Sequence, residues 1–138
     1  MLLFVIMNFL NIACCGLLLG VSLFFLSGFY YFLSFAFFNE ISLDRIFEKS
    51  SYKNISAFKI IFAIGVGWTF SITILGALFK LELLPYAQYI LLVGLIAIGI
   101  TSVISLIFTF QTKSNYYKQI LIREIIIGGI GLILFITN

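Results

Sequence analysis

An all-α integral membrane bundle of four transmembrane helices is the fold class the sequence predicts, and three observations carry that prediction. Hydrophobic residues make up 63% of the 138 and charged residues only 9%, with a mean hydropathy of +1.24. A water-soluble domain carries about a quarter charged residues, so this chain has too little polar surface to cover a globule. The apolar residues fall into four stretches, about 10–38, 58–79, 84–110 and 120–137, each close to the ~20 residues of a helical span. The eight Lys and Arg residues lie in or beside the connections. One transmembrane domain, 1–138, accounts for the whole length, and the net charge of +3 belongs to membrane orientation rather than to nucleic-acid binding.

The first stretch is apolar from Leu2 to Phe38. It lacks the positive start of a signal peptide and outlasts any signal's apolar core, so it is expected to stay in the chain. As a single helix it would be about 55 Å long, against about 30 Å of hydrocarbon. It is therefore either one long, protruding helix or a tight hairpin of two spans. Gly16, Gly20, Ser27 and Gly28 are flexible points without a charged or proline-rich break beside them, which favours one helix. Its aromatic residues, Phe24, Phe25, Phe29, Tyr30, Tyr31, Phe32 and Phe35, offer a broad face either to a partner or to lipid. Cys14 and Cys15 are adjacent, too close for an unstrained bridge. With no histidine in the chain they build no metal site, and they read as small packing residues.

The second and third spans carry the packing signal. Gly65, Thr69, Thr73 and Ala77 recur every four residues in one, and Ala97, Thr101, Ser105 and Thr109 in the other. Each set puts small side chains on one helix face, where backbones approach and hydroxyls bond across or back onto the helix. The two stripes are expected to meet in an antiparallel hairpin. Its turn reads Gly76, Phe79, Lys80, Pro85 and Gly94 within G-A-L-F-K-L-E-L-L-P-Y-A-Q-Y-I-L-L-V-G, around the only proline. Gly16 with Gly20, and Gly128, Gly129 and Gly131 in the last span, are weaker signals of the same kind. Trp68 stands in mid-span, where its indole N–H needs a partner, and is expected to point into the bundle.

Orientation follows from the basic residues. Arg45, Lys49, Lys53 and Lys59 accompany the first connection and Lys113, Lys118 and Arg123 the last, leaving Lys80 alone at the middle turn. Seven against one places the longer connections inside and the Lys80 turn outside. Single cysteines at Ser51, Gln88 and Ser114, with Cys14 and Cys15 changed to alanine, should react with an impermeant thiol reagent from outside only at position 88. Labelling at 51 and 114 with none at 88 would invert the topology.

Catalytic, cofactor-binding and metal-ligating residues are all expected to be absent. Ser and Thr are plentiful, but no histidine or deep lysine can activate them, and no Gly-rich loop follows a strand. Glu40, Asp44, Glu48, Glu82 and Glu124 all read as lying in connections or within about a turn of a span end, and Arg123 as snorkelling to the headgroups. The span from Leu91 to Phe110 has no carboxylate, amine or imidazole, so no ion-coupled motor activity is expected, since such activity needs an ionisable group at depth.

The segment from Ile74 to Gly94 resembles the helical hairpin of the inner-membrane motor subunit L (GldL/PorL) of Bacteroidota gliding motility and type IX secretion. Gly76, Phe79, Lys80 and Pro85 match that family's glycine, Phe-Lys step and proline. Leu83, Leu84 and Tyr86 stand where it has His, Trp and Gly. The resemblance implies a hairpin with an external turn. The family's second hairpin span also bears an acidic residue associated with proton-driven rotation, whereas Leu95 to Val103 has none. The chain therefore reads as a non-enzymatic inner-membrane scaffold or accessory subunit of a larger complex. Its expected partners are the lipid bilayer and other membrane subunits or a second copy. The alternatives are a small transporter, a quinone-linked redox accessory subunit, or an immunity-type membrane protein.

Overall fold

A computed structural model describes the backbone of residues 2–137 and the side chains of residues 16–137. Four long helices follow one another, α1 (Leu2–Phe38), α2 (Ala57–Leu81), α3 (Ala87–Thr112) and α4 (Asn115–Ile136), with short 3₁₀ turns at Leu43–Arg45 and Lys49–Tyr52 between the first two. Gly16–Phe38 of α1 and the whole of the other three are long and apolar enough to cross a membrane. The chain is a multi-pass helical membrane bundle. The apolar stretch before Phe38 is one helix, and the side chains of Cys14 and Cys15 lie outside the described residues.

Local chemistry sets the helix ends. Ser56 and Ser114 cap α2 and α4, each hydroxyl accepting a backbone N–H, from Lys59 and Tyr116 respectively, at 3.3 Å, which satisfies one of the donors every helix start leaves open. At the end of α1, Ile41 N–H reaches back to Ala36 O at 2.8 Å while Glu40 takes a left-handed φ of 57°, the two marks of a Schellman ending.

The bundle is organised around α2, which packs against α1, α3 and α4 and is the most enclosed of the four. Its buried core joins Tyr30 and Phe38 of α1 to Ala63, Val66, Phe70 and Ile74 of α2, Ile98 of α3 and Ile120 of α4. Tyr30 stands edge-on to Phe70 at 5.1 Å, an arrangement that adds about 0.5–1.5 kcal/mol to plain burial. The aromatic residues of α1 therefore divide. Tyr30 turns inward, while Phe24, Phe25, Tyr31 and Phe32 face out.

Trp68 and Arg123 differ from the sequence expectation. Trp68 does not point into the bundle. It is 49% exposed and lies flat on Tyr31, with ring centroids 5.7 Å apart and planes 12° from parallel. Stacking covers one face of the indole, and the small residues beside it, Gly67 and Ser71, take the inward positions. Arg123 does not snorkel outward. Its guanidinium sits 4.4 Å above the Phe37 ring and donates to the Tyr30 hydroxyl at 3.4 Å, so a cation–π contact and a phenol replace the headgroups.

Candidate functional site

The hairpin turn is built from two left-handed residues. Glu82 ends α2, Leu83 follows with φ 53°, and the N–H groups of Leu83 and Leu84 return to Lys80 O (3.2 Å) and Phe79 O (2.9 Å). This is a complete Schellman motif with leucine in the position that usually holds glycine. Pro85 then fixes its own φ, and Tyr86 takes φ 64°, ψ 2° as the N-cap of α3, a left-handed conformation that favours glycine. A side chain in this region costs about 1–2 kcal/mol. Replacing Leu83 or Tyr86 by glycine should therefore raise stability by about 0.5–1 kcal/mol, once the greater freedom of unfolded glycine is deducted. Thermal melting in mild detergent checks this, and Gln88→Gly, inside the helix, should lower it instead.

Beyond the turn the two helices touch backbone to backbone. A Cβ added to Gly76 would lie 2.7 Å from the Cα and the N of Leu91, and one on Gly94 would lie 2.8 Å from the Cα of Thr73. Thr73 itself is 1% exposed. Of the α2 stripe, Thr73 and Ala77 are buried and Thr69 half-buried, while Gly65 faces outward into open space. Of the α3 stripe, Ala97 and Thr101 are half-buried and Ser105 fully buried. The threonine hydroxyls bond back onto their own helices: Thr69 to Val66 O, Thr73 to Thr69 O, Thr101 to Ala97 O and Thr109 to Ser105 O, at 2.7–3.2 Å. The last span contributes as well, with Gly131 fitting over the crossing so that an added Cβ would lie 3.1 Å from both Thr73 and Leu95.

The α1–α2 contact rests on residues the sequence reading passed over. A Cβ on Gly67 would collide with the Ser34 side chain and with Tyr30 O at 2.5 Å, and the Ser27 and Ser71 hydroxyls bond across the helices at 2.8 Å. Ala63, Gly67 and Ser71 recur every four residues, so the rule that found one stripe on α2 would have found this one.

Glu124 requires the largest correction. The sequence placed it near a span end, with nothing ionisable at depth, but α4 begins at Asn115, five residues before the expected 120. Nine residues of rise carry Glu124 about 14 Å along the helix. The buried positions of α4 are Tyr117, Ile120, Glu124 and Gly131, spaced as an inward seam. Glu124 is 1% exposed. The hydroxyls of Thr101, Ser105 and Ser102 face its carboxyl group, yet none closes a hydrogen bond of good geometry, and Oε1, Oε2 and Ser105 Oγ are all buried without a partner. The lower α3 stripe thus meets a carboxylate from α4, while the α2 stripe meets Gly94 and Leu91. Among the described residues no group of three or more His, Cys, Asp and Glu could hold a metal ion.

Residues 65–120 match the family model described as the GldL N-terminal domain. The match spans α2 from Gly65, the turn, all of α3 and the start of α4, a longer segment than Ile74 to Gly94. It covers 56 of the 138 residues, so the likeness to the GldL/PorL kind holds for the central segment. No curated protein and no solved structure gives a significant match.

Proposed function

We propose that this chain is a non-enzymatic scaffold or accessory subunit of a larger inner-membrane assembly of the gliding-motility and type IX secretion kind, joined to it through a GldL-like hairpin. The observation that carries this reading is the coincidence of the GldL match with a backbone-to-backbone helix contact, Gly76 on Leu91 and Thr73 on Gly94. A hairpin locked by backbone contact presents fixed outer faces to neighbours, as an assembly module must. Among the described residues the segments outside the helices are the 39–56 connection and two short turns, and the outward helix faces are broadly apolar, which suits contacts with other subunits within the lipid. An inner membrane suits helical spans, since outer-membrane proteins cross as barrels. The carboxylate missing from α3 separates the chain from a GldL-type motor stroke on that helix.

The test is affinity isolation of the full chain from its native membranes in mild detergent, with mass spectrometry of what accompanies it. Other inner-membrane subunits should be recovered in fixed ratio, and recovery of the chain alone would contradict the reading. Glu124 supports a second reading, the small transporter. Reconstituted in liposomes under an imposed pH gradient, a scaffold should leave the proton leak at the level of empty vesicles. A saturable leak abolished by Glu124→Gln would favour transport.

A further inference from the structure

We infer that the oxygens gathered between α3 and α4 form a binding site for one monovalent cation, with the Glu124 carboxylate supplying the charge and the hydroxyls of Thr101, Ser102 and Ser105 the remaining ligands. The site is independent of what the hairpin assembles with.

Charge comes first. An ionised carboxylate removed from water and left unpaired is among the costliest groups a protein can bury, and ionisable residues inside membrane bundles mark ion or substrate sites. The neighbouring cation does not serve as partner, because Arg123 is turned to Tyr30 and Phe37 of α1. Lys118 is exposed. The groups that face Glu124 from α3 are neutral hydroxyls. One unit of positive charge therefore neutralises the site, while a divalent ion would leave a net positive charge in the bundle core.

The donor set comes second. Thr101 gives its hydroxyl proton to Ala97 O or Ile98 O at 3.1–3.2 Å, which leaves its lone pairs free to accept. Ser105 Oγ is buried with no partner at all. Together with the two carboxylate oxygens these are hard oxygen ligands, the kind that hold alkali and alkaline-earth cations. A proton on one carboxylate oxygen would use the same site by donating to a hydroxyl. That neutral acid is what any buried carboxyl group becomes without a cation site, and the two states are separable by experiment.

The probe is N,N′-dicyclohexylcarbodiimide, which modifies membrane-embedded carboxyl groups only in the protonated form, applied to the full chain in detergent and read by peptide mass spectrometry. In choline chloride buffer Glu124 should be modified, and Glu124→Gln should remove that adduct. If the occupant is an alkali cation, added NaCl or LiCl should slow modification at least tenfold, and Ser105→Ala or Thr101→Ala should raise the salt needed by about tenfold without lowering the melting temperature. A response to pH with none to salt at constant ionic strength would mark an ordinary protonated carboxyl group and overturn the cation site. Modification of Glu124 indifferent to Na⁺, Li⁺, K⁺ and pH, in protein that melts cooperatively, would overturn the site. So would adducts at Glu82 with none at Glu124.

Discussion

Gly67→Val is expected to cost about 3 kcal/mol or more, beyond the usual range for overpacking, and to free α1 from α2. The added Cβ meets the Ser34 side chain and the Tyr30 carbonyl, and neither can yield. Tyr30 O belongs to a helix backbone, and Ser34 is 1% exposed. Separating the helices also breaks the Ser27–Ser71 bond, which in hydrocarbon has no water to replace it. Gly65 is the internal control. It lies two residues away on the same helix with nothing within 4 Å of an added Cβ, so Gly65→Val should be nearly neutral. Detergent melting together with protease sensitivity of the 39–56 connection reads the difference. Equal tolerance at 65 and 67 would remove the α1–α2 seam.

Thr73→Leu should open the hairpin, at a cost of about 1–3 kcal/mol. Its side chain is enclosed between Gly94 and Gly131, so the longer leucine side chain, with one more heavy atom and a δ-branch in place of the γ-branch, pushes α3 and α4 away together. Gly94→Ala should behave alike, because its methyl group would sit 2.8–2.9 Å from the Thr73 backbone. Ile72→Leu, at an outward position, should change the melting temperature little. Thr101→Leu belongs to a different seam, since Thr101 faces Glu124 rather than α2. It should disturb α3–α4 packing and leave the hairpin turn intact.

The four spans and the turn were legible because hydropathy and proline report them directly. Which face of each helix points inward was much less so. In water an inward face is the apolar one, but in lipid both faces are apolar and packing is driven by size and shape, so hydrophobic periodicity no longer marks it. Spacing of small residues then becomes the available signal. It found Thr73 and Ala77, included Gly65, which the fold leaves open, and missed Ala63, Gly67 and Ser71. For Trp68 the N–H is not decisive: stacking on Tyr31 and the close approach of α1 at Gly67 set its direction. Glu124 was misplaced for a more local reason. Ser114 caps α4 within a polar segment, and Tyr116, Tyr117 and Lys118, too polar to mark a span by hydropathy, form its first turn. Counted from that cap, the seam Tyr117, Ile120, Glu124, Gly131 is visible in the sequence.

Photocross-linking in native membranes asks most directly whether the chain works as one subunit among others. A photoreactive phenylalanine analogue placed singly at Phe25, Trp68, Ile100 and Ile133 samples the outward side of every helix, since all four are exposed in the bundle. A scaffold or accessory subunit should give, from at least one of these faces, a discrete protein adduct of constant mass that is lost when the position is moved to the buried Phe70. Lipid adducts alone from all four faces would show a bundle surrounded only by bilayer, and would contradict the assembly reading.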